Sequence, residues 1–197
     1  MSSLQRIIDL QKLLLAFNAI ERTLLLPNKV AGVSRNETDT EHSYSLAMVA
    51  WYLSQKLPHL DSNKCIRYAL AHDLIELHAG DTFVYDKDIS AHKTKTKREQ
   101  QAIKILKQEW PDFKDMTGAI DEYEARANDE SRFVYALDKL MPMVINHLSE
   151  GKNYRAHGIQ LDDVKQAKAV KVSVSPEVNA LYEELIALFE TKPHYFN

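Results

Sequence analysis

The stretch Ile66-Arg67-Tyr68-Ala69-Leu70-Ala71-His72-Asp73-Leu74-Ile75-Glu76-Leu77 predicts a buried helix that carries ionisable side chains. Its apolar residues surround most of a helical circumference, which is typical of a helix inside a protein core. On such a helix Asp73 lies about 100° and Glu76 about 40° from His72, so the three side chains share one broad face. Two carboxylates buried beside an imidazole are costly unless a cation or hydrogen-bond donors compensate them. A divalent metal ion would remove this cost.

Apolar residues recur at helical spacing along most of the chain, and only five glycines and six prolines interrupt them. We therefore expect an all-α fold without a convincing sheet. The predicted helices cover residues 4–25, 39 or 40 to 57, 62–80, 95–109, 112–126, 129–149, 160–169 and 176–190. Asp39 or Thr40 is expected to cap the second helix, Gly80 to end the third in a left-handed conformation, and Pro142 to kink the helix 129–149. A lysine-rich loop is expected over residues 86–98.

The composition of the chain predicts one globular domain spanning residues 1–197. Of its 197 residues, 45% are apolar and 27% charged, and the formal net charge of −3 gives no overall bias toward nucleic acid or an anionic membrane. We see no leader pattern and no apolar run of the roughly 20 residues that span a bilayer, so we expect a cytoplasmic protein. The single cysteine, Cys65, cannot form an internal disulfide.

Two further ionisable residues occupy unusual positions. Asp138 lies within the apolar stretch 133–141, and His42 falls in the first turn of the second predicted helix. Each residue has an ordinary explanation when it is taken alone: Asp138 can pair with Lys139 or Arg132, and His42 can cover a helix end. An adjacent His-Asp pair on a helix is also common. Only the joint arrangement favours a metal site.

Three segments resemble, in order and spacing, the H…HD…D signature of HD-domain superfamily metal-dependent phosphohydrolases. They are Arg35-Asn36-Glu37-Thr38-Asp39-Thr40-Glu41-His42-Ser43, His72-Asp73-Leu74-Ile75-Glu76-Leu77-His78-Ala79-Gly80-Asp81 and Ala136-Leu137-Asp138-Lys139-Leu140. The E-H-S run and the H-D-x-x-E-x-x-x-G-D element resemble the branch of the bacterial 5′-deoxynucleotidases and their eukaryotic relatives. The similarity covers about residues 10–150 and implies an HD-domain helical bundle, on which the helices of residues 151–197 would pack.

The resemblance implies a metal site formed by His42, His72, Asp73 and Asp138, with open positions for water and a substrate phosphate. Two imidazoles and two carboxylates without a thiolate suit a borderline divalent ion better than a structural zinc site. We therefore expect one divalent transition metal ion, either manganese, cobalt, iron, nickel or zinc.

The resemblance also implies roles for residues around the metal. Glu76 is expected to orient or deprotonate the attacking water, and Asp81 to be a second active-site acid, although a loop or capping aspartate is the alternative. Arg22 is expected to contact the phosphate, with Arg35 as the second choice. Thr23 stands where that branch is expected to have an aromatic side chain beside the sugar, so the sugar preference stays open.

The expected function is a 5′-nucleotidase that hydrolyses (deoxy)nucleoside 5′-monophosphates to nucleoside and phosphate. The alternatives are a nucleotide pyrophosphohydrolase or phosphodiesterase on the same scaffold, and a non-catalytic module that the metal stabilises. The expected partner is a small phosphorylated metabolite such as a nucleotide, neither nucleic acid nor membrane, and a homodimer is left open. The basic residues of the 86–98 segment are interpreted as a solvated face outside the site.

Overall fold

A computed structural model describes residues 2–27, 35–80, 85 and 89–196 of the chain. The α-helices are α1 (Ser3–Asn18), α2 (Asp39–Ser54), α3 (Ser62–Ala71), α4 (Glu76–Ala79), α5 (Ile89–Glu109), α6 (Lys114–Ala125), α7 (Asp129–Leu148), α8 (Lys152–Ala156), α9 (Leu161–Val172) and α10 (Pro176–Glu190). Two short 3₁₀ helices cover His72–Ile75 and Pro193–Tyr195, and two strands cover β1 (Glu21–Leu25) and β2 (Asn36–Thr38). The prediction of an all-α fold is confirmed, apart from this small sheet.

Helix α7 lies at the centre of the bundle, where it packs against α2, α3, α6, α9 and α10. Its side chains Phe133, Val134, Leu137 and Met143 are almost completely buried. The helix continues from Asp129 to Leu148 across Pro142, and a kink at this proline stays a prediction. Because α7 is covered on several sides, an ionisable residue on its buried faces must find its partners inside the bundle.

The first predicted helix was too long, and the expectation of no sheet was wrong. Helix α1 ends at Asn18, and residues Glu21–Leu25 form β1, which pairs antiparallel with β2. Leu24 is buried in β1, so its apolar character fits the strand as well as it fits the predicted helical stripe. The amide of Asp39 donates to the carbonyl of Ile20 and ties the start of α2 to this sheet.

The residue that caps α2 is Thr38, rather than Asp39 or Thr40. Its hydroxyl accepts a hydrogen bond from the amide of Glu41, and the Glu41 side chain accepts one from the amide of Thr38, which is a capping box. This cap fixes the first turn of α2, where His42 lies. The position of His42 is therefore set by the strand and the cap together.

The third predicted helix is divided into three pieces. Asp61 caps α3, which ends at Ala71, and a 3₁₀ turn over His72–Ile75 then leads into α4. Gly80 ends α4 with φ 73° and ψ 141°, so its φ is positive as expected, but it is not in the left-handed helical conformation. The 3₁₀ turn has about three residues per turn, which separates the side chains of His72 and Asp73 more widely than an α-helix would.

The C-terminal helices pack on the bundle, which supports the proposal of a single domain. Helix α10 contacts α7 and α9, and its residues Val178 and Ile186 are buried. Helix α5 begins at Ile89, so the expected loop over 86–98 was too long; lysines are good helix formers. In the part of the chain that the structure describes, no helix has both the length and the apolar character to cross a bilayer. The cytoplasmic location stays a prediction.

Candidate active site

Four of the predicted site residues converge inside the bundle. His42 comes from α2, His72 and Asp73 from the 3₁₀ turn, and Asp138 from α7. Ligand atoms of His42, His72 and Asp73 all lie within 4.8 Å of one another. Asp138 Oδ1 lies 3.0 Å from His42 Nε2 and 3.9 Å from His72 Nε2. The structure therefore brings the four proposed metal ligands together from three separate segments of the chain.

The hydrogen bonding of His72 leaves one ring nitrogen facing only carboxylates. His72 Nδ1 lies 2.9 Å from the carbonyl oxygen of Ala69, which can only accept, so Nδ1 carries a proton. His72 Nε2 is buried without a hydrogen-bond partner and lies 3.1 Å from Asp73 Oδ2. In the neutral ring this nitrogen presents a lone pair to two carboxylates, which repels them. A metal cation at this point would satisfy all three groups, so the residues present fit a metal ion.

His42 has a carboxylate on each side. Its Nε2 contacts Asp138, and its Nδ1 lies 3.3 Å from Oε2 of Glu37, a strand residue that is only 3% exposed. Burial and the Arg22 guanidinium lower the pKa of His42, but Asp138 and Glu37 outweigh them and raise this pKa to about 9. A histidine with a carboxylate behind its second nitrogen is the usual arrangement of a metal-binding imidazole. Sequence reasoning had missed Glu37.

Arg22 lies beside the proposed metal ligands. Its Nη1 donates to Asp73 Oδ2 at 2.6 Å and to Asp39 Oδ1 at 3.0 Å, and its Nε lies 3.6 Å from Glu37 Oε2. The antiparallel pairing of β1 with β2 brings this arginine next to Glu37 and Asp39. Burial raises the pKa of Asp73, but His72 and Arg22 outweigh it and hold that pKa below its ordinary value.

Asp138 has two more partners on its second oxygen. The hydroxyl of Tyr123 donates to Asp138 Oδ2 at 3.1 Å, and the ammonium of Lys139 contacts the same oxygen. Burial lowers the pKa of Lys139, but Asp138 outweighs it and raises that pKa. The ring of Tyr123 also lies against His72, with 5.1 Å between the ring centroids. Oδ2 is therefore held in place, while Oδ1 faces the two histidines.

The groups in direct contact at this site carry an excess of negative charge. The carboxylates are those of Glu37, Asp39, Asp73 and Asp138, and the cations that contact them are Arg22 and Lys139. With neutral imidazoles, four negative charges meet two positive ones. The raised pKa of His42 has the same cause, because the nearby carboxylates favour its protonated form. A divalent cation would neutralise it.

Glu76 begins α4 directly after the 3₁₀ turn and is buried, with 6% exposure. Lys95 Nζ lies 3.9 Å from Glu76 Oε1 and 2.8 Å from Glu99 Oε1. Lys139 is within electrostatic range of Lys95, which connects this part of the site to Asp138. The sequence interpretation had left Lys95 outside the site, although it contacts the proposed catalytic glutamate.

Arg35, the second choice for the phosphate contact, is not part of this cluster. Arg35 is exposed and is bound by both oxygens of Glu41, with Nη1 2.6 Å from Oε2. Asp81 lies outside the described residues, as does Lys87. His78, close to Glu76 in sequence, contacts Glu109 at 3.2 Å.

The sequence of this chain is similar to a known protein family and to named proteins. Residues 27–179 match the model of the HD domain family. A Bos taurus protein named 5′-deoxynucleotidase HDDC2 is 32% identical over 157 residues, which cover 79% of this chain and 73% of that protein. The Homo sapiens protein of the same name is 30% identical over 171 residues, with 82% and 80% covered. The chain therefore belongs to the HD domain family, as the ordered H…HD…D signature had predicted.

Solved structures share the same architecture. A predicted metal-dependent phosphohydrolase from Magnetospirillum magnetotacticum MS-1 superimposes with a TM-score of 0.78 and 27% identity, over 97% of this chain and 95% of that chain. A conserved hypothetical protein from Pyrococcus furiosus gives a TM-score of 0.62 at 24% identity, over 93% and 99% of the two chains, and supports the fold alone. The predicted HD-domain helical bundle is confirmed.

Proposed function

We propose that the protein is a metal-dependent phosphomonoester hydrolase that converts nucleoside 5′-monophosphates to nucleoside and orthophosphate. The observation that carries this proposal is the buried His72 Nε2, which has no hydrogen-bond partner and faces the carboxylates of Asp73 and Asp138. The relatives named 5′-deoxynucleotidase support the nucleotide as substrate. Neither nucleic acid nor a membrane is part of the proposal.

We propose that His42, His72, Asp73 and Asp138 hold one divalent ion. Their imidazole and carboxylate donors suit manganese, cobalt, iron, nickel or zinc. When bound, such an ion supplies Lewis acidity toward phosphoryl oxygens and lowers the pKa of water. Tyr123 and Lys139 orient Asp138 for this role, and Glu37 orients His42.

We propose that Glu76 is the general base of the reaction. Its carboxylate would take a proton from water as the water oxygen forms a bond to phosphorus and the bond from phosphorus to the 5′ oxygen breaks, and the departing 5′ oxygen would take up a proton from solvent. Glu76 is buried one short turn after His72 but is not in the proposed ligand set, so it is placed for chemistry rather than for holding the ion. Asp81 is retained as the second acid that the family resemblance implies.

We propose that Arg22 contacts the phosphate. Its guanidinium already lies against Asp73 at 2.6 Å, so a short reorientation would bring it to a phosphate beside that residue. Arg35 was the second choice for this contact. Its pairing with Glu41 at the protein surface favours Arg22 over Arg35.

A substrate panel tests the proposal. Metal-loaded protein is offered nucleoside monophosphates, nucleoside triphosphates and cyclic nucleotides, and both orthophosphate and pyrophosphate are measured. We expect orthophosphate from monophosphates, and Glu76→Gln should retain the metal but lower kcat by roughly 100-fold or more. Glu184→Gln, a change of an exposed glutamate on α10, is the matched control and should behave like the unaltered protein.

Other outcomes of the panel identify the alternatives. Pyrophosphate release from triphosphates would indicate a pyrophosphohydrolase, and opening of cyclic nucleotides would indicate a phosphodiesterase. Metal binding without any turnover would favour the non-catalytic module. Each of these results contradicts the nucleotidase proposal while leaving the metal site intact.

We further propose that the protein forms a homodimer through α1 and α2. Large apolar side chains are exposed on both helices, among them Leu4, Ile7, Leu15, Met48 and Trp51. Monomeric proteins rarely expose so many apolar residues on neighbouring elements. Light scattering after size-exclusion chromatography measures the mass directly, and a monomer at micromolar concentration would contradict the proposal.

A further inference from the structure

Lys168 is a buried lysine without a partner among the residues that the structure describes. It lies on α9, which packs against α7, and only 4% of the residue is exposed. Among the described residues it forms neither a hydrogen bond nor an ion pair within 4.0 Å; the ammonium of Lys165, one turn earlier on the same helix, is bound by Glu190 at 2.8 Å. A buried ammonium is costly unless an anion compensates it. A bound anion would therefore compensate the charge of Lys168.

The surroundings of Lys168 place it beside the candidate active site. Its electrostatic neighbours are Asp138 and Lys139 on α7, Arg22 on β1 and Lys171 on its own helix. Burial and the nearby Lys139 lower the pKa of Lys168 to about 7. Burial also lowers the pKa of Lys171, and Lys139 and Lys95 add to this shift.

Four lysines influence one another electrostatically around Asp138, and we call them the cationic wall: Lys95, Lys139, Lys168 and Lys171. Two of them are already engaged, because Lys95 is bound by Glu99 and Lys139 by Asp138. Of the other two lysines, Lys168 is more deeply buried than Lys171. The wall is local, since the whole chain has a formal net charge of −3.

The chemistry of this wall matches a compact dianion. Lysine binds phosphate as a point charge, and several lysines on one side of a site favour a group with two negative charges over a group with one. A terminal phosphate monoester is a dianion at neutral pH, whereas a phosphodiester has a single negative charge. The cationic wall therefore selects for the charge of the substrate, and Arg22 adds directional hydrogen bonds.

We propose that Lys168 binds the phosphate of the substrate and makes the site selective for dianionic monoesters. This inference rests on the proposed function, because it assigns a subsite for the phosphate that the enzyme would hydrolyse. No covalent step involves Lys168. Its role is to bind the phosphate, so its loss should act on affinity before it acts on turnover.

The test uses the metal-loaded full chain and the variant Lys168→Met, which keeps an unbranched side chain of nearly the same length and removes its charge. Orthophosphate and dimethyl phosphate serve as the dianionic and monoanionic probes, and calorimetry measures their binding. We expect about a tenfold or greater loss of orthophosphate affinity, as for the removal of one charge-assisted hydrogen bond, and a smaller loss for dimethyl phosphate. Metal content should not change, and KM should rise more than kcat falls.

Control variants separate this role from a structural one. Lys165→Met removes a lysine from the same helix and should leave orthophosphate affinity unchanged. Lys168→Arg should restore part of the affinity. The thermal midpoint of Lys168→Met should be equal to or above that of the unaltered protein, because an unpaired buried charge is removed. If Lys168→Met does not fold, the same measurements are made on Lys168→Gln.

Three results would overturn the inference: orthophosphate affinity within about twofold of the unaltered protein, an equal loss for both probes, or a loss of metal and stability in the Lys168 variants. Orthophosphate binding needs no turnover, so this test is separate from that of the proposed function. A protein that binds orthophosphate through Lys168 but hydrolyses no monophosphate would contradict the proposed function alone. A nucleotidase that Lys168→Met leaves unaffected would contradict this inference alone.

Discussion

Replacement of Glu37 by glutamine tests how the site holds its metal ion. Glu37 Oε2 lies 3.3 Å from His42 Nδ1 and 3.6 Å from Arg22 Nε, and the residue is 3% exposed. Glutamine fills nearly the same volume and its amide oxygen can still accept a hydrogen bond from the N–H at Nδ1, but it removes one of the four negative charges that compensate the cation. Loss of a carboxylate behind a metal-binding histidine lowers metal affinity by about 10-fold to 100-fold, or about 1.4 to 2.7 kcal/mol. We expect Glu37→Gln near the lower limit and Glu37→Ala near the upper one.

Equilibrium dialysis against a metal buffer, followed by metal analysis, measures this affinity. The matched control is Glu21→Gln, which removes the same charge from an exposed glutamate on the neighbouring strand. An equal loss of affinity in the control would mean that only overall charge matters. Unchanged affinity in both Glu37 variants would refute the proposed orientation of His42. A lower thermal midpoint without a change in metal affinity would assign Glu37 a purely structural role.

The remaining predictions concern the metal ligands and pH. We expect the unaltered protein to bind one ion per chain, and His72→Ala and Asp138→Ala should each lose most of it; if elemental analysis finds full metal content in both variants, the proposed ligand set is wrong. The pKa of Lys168 is lowered from 10.5 to about 7. Between pH 7 and pH 10.5 the unfolded chain therefore holds a proton that the folded chain has released. The free energy of unfolding rises with pH over this range. Lys168→Met removes this rise while Asp138, Lys139, Arg22 and Lys171 remain. The stability advantage of Lys168→Met should therefore be largest below about pH 7 and should shrink toward pH 10 in denaturant titrations, and a constant advantage would refute the burial of an unpaired charge.

Local sequence patterns predicted most of the helices and singled out residues that the structure brings together as the proposed metal ligands. His72, Asp73 and Glu76 stand out because ionisable residues interrupt an apolar helical pattern, and Asp138 stands out for the same reason. Such contrasts are visible within about ten residues of sequence. The order of the three segments then carried the family assignment, which the match over residues 27–179 confirms.

The features that sequence reasoning missed depend on contacts between distant segments. Residues of β1 have the same apolar spacing as a helix end, and only their pairing with β2 makes them a strand. Glu37 belongs to the site because that sheet places it behind His42. Lys168 follows Asp138 by thirty residues in sequence, and nothing in the pattern of α9 separates it from the half-buried Lys165. Packing of α9 on α7 makes the difference.

The short β1–β2 ribbon constrains how this chain can vary during evolution. The strands pair Glu21 with Thr38 and Leu25 with Asn36, and Arg22 and Glu37 both reach the site from this ribbon. A shift of the pairing by one residue turns every side chain of a strand to the opposite face, so such a slip would replace Glu37 beside His42 by a neighbour without a carboxylate. Insertions between the strands cost little free energy, because the entropic cost of closing a loop grows only with the logarithm of its length. Related chains can therefore differ freely in the segment that connects the strands. The pairing register of the five residues of β1 with the three residues of β2 is fixed, because it determines which side chains reach the site.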